Sequence, residues 1–260
     1  MQSVFYVGCA GWTVPQSYAA HFPLTGSHLE RYAAVFAGVE INTSFYRPHQ
    51  FKTYARWAAS VPDHFRFAVK VPKAITHTAR LVDSEAALDR FLGECSGLSE
   101  KLGPLLVQLP PSLGYNGETV QAFFAALRQR FAGAVVCEPR HLSWFTLEAE
   151  EVLAGYRIAR VAADPALTST ASAPGGWNGI SYFRLHGSPR MYYSEYSSTY
   201  LEALVQRMAD EASRGISVWC IFDNTAEFAA TPNALTVLAS VCKVSEEERF
   251  TIIPEPPKVL

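Results

Sequence analysis

Phe65-Arg66-Phe67-Ala68-Val69-Lys70-Val71 alternates large apolar residues with Arg, Ala and Lys. Successive side chains of an extended strand point to opposite sides, so this segment reads as a strand with one apolar face and one mixed face. The apolar face suits a covering layer of helices. The mixed face needs its own explanation, because a parallel strand buried on both sides ordinarily reads as an unbroken apolar run.

Runs of the same kind recur on either side, at Val4–Cys9, Val39–Asn42, Leu105–Leu109, Val135–Glu138, Ile158–Ala162, Tyr182–His186 and Val218–Asp223. With Phe65–Val71 they make eight, spaced by roughly 30 residues, the length of one βα unit. Eight such units in 260 residues predict an α/β protein, a single-domain TIM-type (β/α)8 barrel over residues 1–260. A doubly wound open sheet is the alternative, and it accounts less well for eight units without a glycine-rich phosphate fingerprint. Helix starts are expected at Ser27-x-x-Glu30 and Thr199-x-x-Glu202, both capping-box patterns, and at Thr231-Pro232, with proline in the first helical position. Phe51, Tyr54, Ala55 and Ala58 fall on one helical face. Pro165 to Gly179 shows no helical period, so the sixth helix is expected to be weak or replaced by a loop.

Composition narrows the class further. An apolar content of 49% with 18% charged residues fits a globular chain and excludes disordered and collagen-like ones. No stretch reaches the roughly 18 uncharged apolar residues that cross a bilayer, and Met1-Gln2-Ser3 lacks the layout of a signal peptide. A cytoplasmic location and no membrane partner are therefore expected. The five cysteines form no C-x-x-C pair and read as buried, reduced thiols. A net charge of −2 gives no global pull towards polyanions, so any such site must be a local concentration of Lys and Arg.

In a barrel the outer face of each strand meets the helices, which turns the mixed face inward and brings its C-terminal residues to the mouth. That aims Glu40, Asn42, Lys70, Gln108, Glu138, Arg184 and His186 at one volume. The following loops add Tyr46, Arg47, His77, Arg140, His141, Asp164, Asp223 and Asn224. Any one of these is as readily a salt-bridged filler, as in a pair of Glu40 with Arg184 or of Glu138 with Lys70. Their convergence from several strands favours a functional pocket, since a purely structural barrel fills its layers with Val, Ile and Leu.

Taken in order, Gly8-Cys9-Ala10-Gly11-Trp12, Val39-Glu40-Ile41-Asn42-Thr43-Ser44-Phe45-Tyr46, Phe67-Ala68-Val69-Lys70-Val71-Pro72 and Ile75-Thr76-His77 resemble the YecE-like family, domain of unknown function 72. The resemblance continues through Leu105-Leu106-Val107-Gln108-Leu109-Pro110-Pro111, Glu138-Pro139-Arg140-His141, Ser143-Trp144, Arg184-Leu185-His186-Gly187, Asp223-Asn224-Thr225 and Asn233-Ala234. It implies a TIM-type barrel and supplies no activity. Two positions depart from the family pattern. Pro139 replaces an aromatic residue and, lacking an amide hydrogen, should end or bulge the strand just after Glu138. Phe228 stands where a glycine is common, which argues against phosphate binding by close backbone approach in that loop.

The favoured function is an enzyme, possible hydrolase chemistry included, acting on a small anionic, phosphate-bearing ligand such as phosphate or a nucleotide. Lys70, Arg184 and Arg140 would hold the anion, and Asn42, Gln108, Tyr46, His77, Trp144, Asp223 and Asn224 would contact the rest. Glu138 and Glu40 would act as general base or acid, and His186 would transfer a proton. Glu40, Glu138, Asp164, His186 and Asp223 are ligand types for a divalent metal, yet neighbouring cations oppose one and no compact signature is present, so the cofactor is left unknown and no metal ligand is assigned. One alternative is a glycoside hydrolase built on Glu40 and Glu138, with Trp12, Tyr46, Trp144, Trp177, Tyr192 and Tyr193 as stacking platforms. Another is a non-catalytic module that grips a nucleotide or a nucleic-acid strand.

Overall fold

The structure is a computed structural model that describes residues 4–248 and 251–252. Met1-Gln2-Ser3, read above against a signal peptide, lies outside the described residues. The strands are β1 (Val4–Cys9), β2 (Gly38–Ile41), β3 (Arg66–Lys70), β4 (Leu102–Gln108), β5 (Val135–Glu138), β6 (Ile158–Arg160), β7 (Ala162–Asp164), β8 (Gly175–Gly176), β9 (Ile180–Leu185), β10 (Ser217–Phe222) and β11 (Thr251–Ile252). The helices are α1 (His28–Ala33), α2 (Phe51–Ala59), α3 (Glu85–Cys95), α4 (Gly117–Arg130), α5 (Leu147–Gly155), α6 (Ser198–Ser213) and α7 (Ala230–Glu248).

The result is a mixed α/β fold with two parallel sheets, ordered β11-β1-β10-β9-β7 and β2-β3-β4-β5-β6-β8. Only the short β8 runs antiparallel, against β6, among the described strands. The sheets meet along two lines. On one, Ala10 bridges Glu40, and the Gly11 amide donates to the Glu40 carbonyl at 2.9 Å. On the other, β6 pairs with β5 and β7 pairs with β9, while Val161 between them donates to the Cys137 carbonyl at 2.8 Å. The segment 158–164 thus passes from one sheet to the other without a turn.

Strand parity sorts the core into two clusters. Val7, Val39, Phe67, Val69, Leu105, Val107, Cys137, Phe183, Leu185, Cys220 and Phe222 pack with helix residues such as Leu88, Phe124, Leu204 and Val237. Their alternates Ala68, Leu106, Val136, Ala159, Tyr182, Trp219 and Ile221 form a separate cluster drawn from both sheets. Trp219 lies at its lower end, stacked between Tyr6 (ring centroids 4.5 Å apart) and Tyr182 (6.0 Å). A Cβ on Gly103 would come within 2.9 Å of that indole, so the glycine makes its room.

The capping box at Ser27 and Glu30 forms as expected, with both reciprocal bonds. Two expected helix starts are corrected. Ser197, not Thr199, caps α6 by accepting from the Tyr200 amide, which places Thr199 inside the first turn. Helix α7 already begins at Ala230, two residues before Pro232; the missing proline amide is still harmless there, because first-turn amides have no intrahelical partner. The apolar face expected on α2 is only partly used: Tyr54 is buried, whereas Phe51 is exposed. Between Asp164 and Ile180 there is a 3-10 turn at Thr170–Ser172 and the short β8, with no α-helix among the described residues. All five cysteines are buried. No helix among the described residues is long and apolar enough to cross a membrane.

Candidate functional site

The parity that brings Ala68 and Leu106 together carries the next inward residues, one step further along each strand, to the C-terminal ends. Glu40, Lys70, Gln108, Glu138, Arg184, His186 and Asp223 all follow this rule. Six of them, all but Lys70, are joined to one another by side-chain bonds.

Arg184 is the centre. Its Nε and Nη2 donate to Glu40 Oε2 (3.0 Å) and Oε1 (2.7 Å), its Nη1 to Glu138 Oε2 (3.2 Å), and Nη2 also lies 2.9 Å from Asp223 Oδ2. Burial disfavours this guanidinium, yet Asp223, Glu40 and Glu138 more than compensate and raise its pKa well above the usual value. The expected Glu40–Arg184 pair is present. The expected Glu138–Lys70 pair is not, since Glu138 bonds to Arg184, His186, Gln108 and Arg140 instead. An anion expected on Arg184 finds that fork already taken by three carboxylates of the chain itself.

His186 bridges two of the same carboxylates, through Nε2 to Glu138 Oε1 (2.8 Å) and Nδ1 to Asp223 Oδ2 (3.1 Å). With an acceptor at each nitrogen the ring is best satisfied as an imidazolium donating twice. Burial opposes that charge, but Glu138 and Asp223 together outweigh it and the pKa is raised. Burial likewise opposes the Glu138 and Asp223 carboxylates. For Glu138 the neighbouring His186 and Arg184 win and hold it well below the usual range; for Asp223 Arg184 and His186 lower it.

Lys70 differs from the rest. It is 5% exposed, and among the described residues its Nζ meets no carboxylate or hydrogen-bond acceptor, lying 4.2 Å over the Phe45 ring. Burial first and Arg184 second bring its pKa down to about 8. The His77 ring packs edge-to-face with Phe45 at 4.9 Å, its pKa lowered by burial and by Lys70.

Other expected site residues take quieter places. Asn42 reaches Asp223 Oδ1 at 3.5 Å and keeps a buried, unpartnered Oδ1. It lines a cavity of about 330 Å³ with Trp12, Arg47, His49 and Trp57, which also touches Glu40. Tyr46 is exposed at the rim. Trp144 is corrected from ligand contact to anchor: it is fully buried, and its Nε1 donates to the Leu113 carbonyl at 2.9 Å. Asn224 Nδ2 ties the Ser194 carbonyl (2.9 Å) to Asn233 Oδ1 (3.0 Å) and so joins two loops, while its Oδ1 is buried with no hydrogen-bond partner among the described residues. Pro139 ends β5 at Glu138, as expected. Phe228 occupies a left-handed backbone conformation at φ 65, one that favours glycine.

Two contributors escaped the sequence reading. Tyr182 donates to Glu40 Oε2 at 2.9 Å, and Phe45 carries Lys70. Tyr182 shares the parity of Arg184 and His186, which was the available signal; nothing in the sequence marks Phe45. The carboxylates turn towards Arg184 and His186 rather than towards a common point, and no group of three His, Cys, Asp or Glu side chains among the described residues is set to hold a metal ion.

The fold and this cluster define an α/β protein with charged residues gathered at the C-terminal ends of parallel strands. The profile of the family described as "Protein of unknown function DUF72" matches residues 6–257, and the chain belongs to that family. It is 31% identical over 149 residues to the UPF0759 protein YecE of Escherichia coli K12 and 27% identical over 151 residues to the UPF0759 protein YunF of Bacillus subtilis 168. These matches take in 57% and 55% of the chain and about half, 53%, of each relative. Crystal structures of DUF72 family proteins from Enterococcus faecalis V583 (TM-score 0.78, 21% identity, 98% of this chain and 99% of that one) and Thermotoga maritima MSB8 (0.75, 24%, 92% and 99%) share the fold.

Proposed function

We propose that the two sheets form one closed TIM-type barrel domain and that its C-terminal mouth is an active site acting on a small anionic, phosphate-bearing ligand by general acid–base chemistry. The observation that carries this reading is His186 held between Glu138 and Asp223 beside Lys70, a buried amine without a carboxylate partner. Buried structural cations are normally paired, so an unpaired one implies an anion from outside. Against Glu40, Glu138 and Asp223 stand Arg184, Arg140, His186 and Lys70, one positive charge in excess when all are protonated. A monoanion would balance it.

In this reading Lys70 and Arg140 draw the anion. Arg184 instead fixes the carboxylates. His186 stores a proton that Glu138 or Asp223 can relay to or from the ligand, while Tyr182 and Gln108 hold the carboxylate oxygens in place. The cavity beside Asn42 offers a binding volume at the same end. A glycoside hydrolase is less well supported, because Arg184 fills the space between Glu40 and Glu138 that a sugar would need.

The test is a crystal soaked in inorganic phosphate together with a turnover screen on phosphomonoesters and phosphodiesters. An anion within bonding distance of Lys70, and a hydrolytic activity abolished in Glu138→Gln without loss of fold, are expected. Phosphate binding with no turnover would favour the non-catalytic module. Full activity in Glu138→Gln would remove that residue from the mechanism.

A further inference from the structure

A second cavity lies at the opposite end of the sheets, with a volume of about 480 Å³, within the range of small-molecule sites. Its walls come from the beginnings of strands in both sheets: Arg66 opens β3, Ile180 opens β9, Ser217 opens β10, and Arg157 immediately precedes β6. Its charge and its rings both need explaining.

Arg66, Arg128 and Arg157 line it, and no Asp or Glu does. Arg128 is structural: its nitrogens donate to the carbonyls of Tyr156, Phe131, Gly133 and Arg157. It nevertheless keeps its charge there, and its pKa is lowered by burial and by Arg157. Arg66 donates from Nη1 to the carbonyls of Asp63 and Phe65, while the Asp63 carboxylate lies 3.7 Å from Lys101. Arg157 is exposed, and among the described residues its guanidinium meets only the Trp177 ring, at 5.5 Å. Three guanidiniums without a carboxylate make a positive hollow in a chain whose net charge is −2.

The rings are fixed in place. Trp177 lies against Gly179, where a Cβ would overlap its indole, and Trp219 is held between Tyr6 and Tyr182. Aromatic faces and arginine forks together suit a ligand with a planar ring at one end and a phosphate at the other.

We propose that this cavity binds a mononucleotide, its phosphate on Arg157 and Arg66 and its base against Trp177 and Tyr6. The inference is independent of the site at the C-terminal ends.

Isothermal titration of the full chain with adenosine monophosphate tests it. Micromolar binding is expected, weakened at least tenfold in Arg157→Glu and in the Arg66→Glu, Arg157→Glu double variant. Both arginines have solvent-reachable side chains, and circular dichroism checks that each variant is folded. Three results would overturn the proposal: no binding at millimolar nucleotide, binding indifferent to the arginine substitutions, or inorganic phosphate occupying the arginine-dependent site as tightly as the nucleotide. Tighter binding of a single-stranded oligonucleotide than of the mononucleotide would also overturn it, by assigning the surface to nucleic acid.

Discussion

Arg184 and Glu40, 144 residues apart in sequence, meet through two nearly parallel hydrogen bonds of 3.0 and 2.7 Å with neither side chain exposed. Such a pair contributes little net stability against an apolar replacement of both partners, because each charge must leave water. Removing one partner alone is far more costly.

Arg184→Met should therefore destabilise the protein by about 3–5 kcal/mol, since it strands Glu40, Glu138 and Asp223 without their common cation. Urea denaturation gives the value. A loss below about 1 kcal/mol would mean that the three carboxylates take up protons or water at little cost.

Lys70→Met should stabilise the protein at neutral pH while abolishing any activity. The pKa of Lys70 falls from 10.5 to about 8 on folding, so the folded state is penalised while the amine carries its proton. The penalty is complete below about pH 8 and vanishes above the unfolded value near 10.5. A gain of about 1–3 kcal/mol at pH 7, shrinking as the pH rises, is expected from the linkage. Equal stability of the two proteins from pH 6 to pH 11 would contradict the unpaired-amine description.

His186 works in the opposite sense. Its raised pKa contributes stability that is fully present below the unfolded value near 6.5 and disappears as the pH rises through the folded value. The depressed carboxyls of Glu138 and Asp223 contribute above the unfolded carboxyl range, and that contribution is lost as the pH falls through their folded values. In a Lys70→Met background, which removes the opposing alkaline effect, the Tm should fall from pH 6.5 upward, and His186→Gln should flatten that decline. An unchanged slope would show that the ring is neutral in the fold.

Phe228→Gly should raise the Tm slightly, by the equivalent of up to about 1 kcal/mol. The residue is 48% exposed and sits at φ 65, so little packing is lost when the strained side chain is removed. A lower Tm would indicate that the phenyl ring holds its loop.

The fold and the cluster were unequally legible in the sequence. Alternation in β3 and β5 gave Lys70 and Glu138 their direction, because period two is a property of the extended backbone and needs no knowledge of partners. Who bonds to whom was not legible: Glu138 chose His186 and Arg184 over Lys70 through loop heights and strand stagger that no local pattern encodes. Trp144 looked like a platform because tryptophan stacks well, and only its burial against Leu113 showed it to be an anchor. The cap at Ser197 was missed because Ser197, Ser198 and Thr199 are chemically equivalent candidates, and tertiary contacts select among them.

Trp219, wedged beside Gly103 and flanked by Tyr6 and Tyr182, stands between the lower cavity and the charged cluster, which Tyr182 touches through Glu40. It closes the inner end of that cavity, which opens at the beginnings of the strands. The same indole lines the lower cavity, so its ultraviolet emission offers an intrinsic reporter of occupancy there.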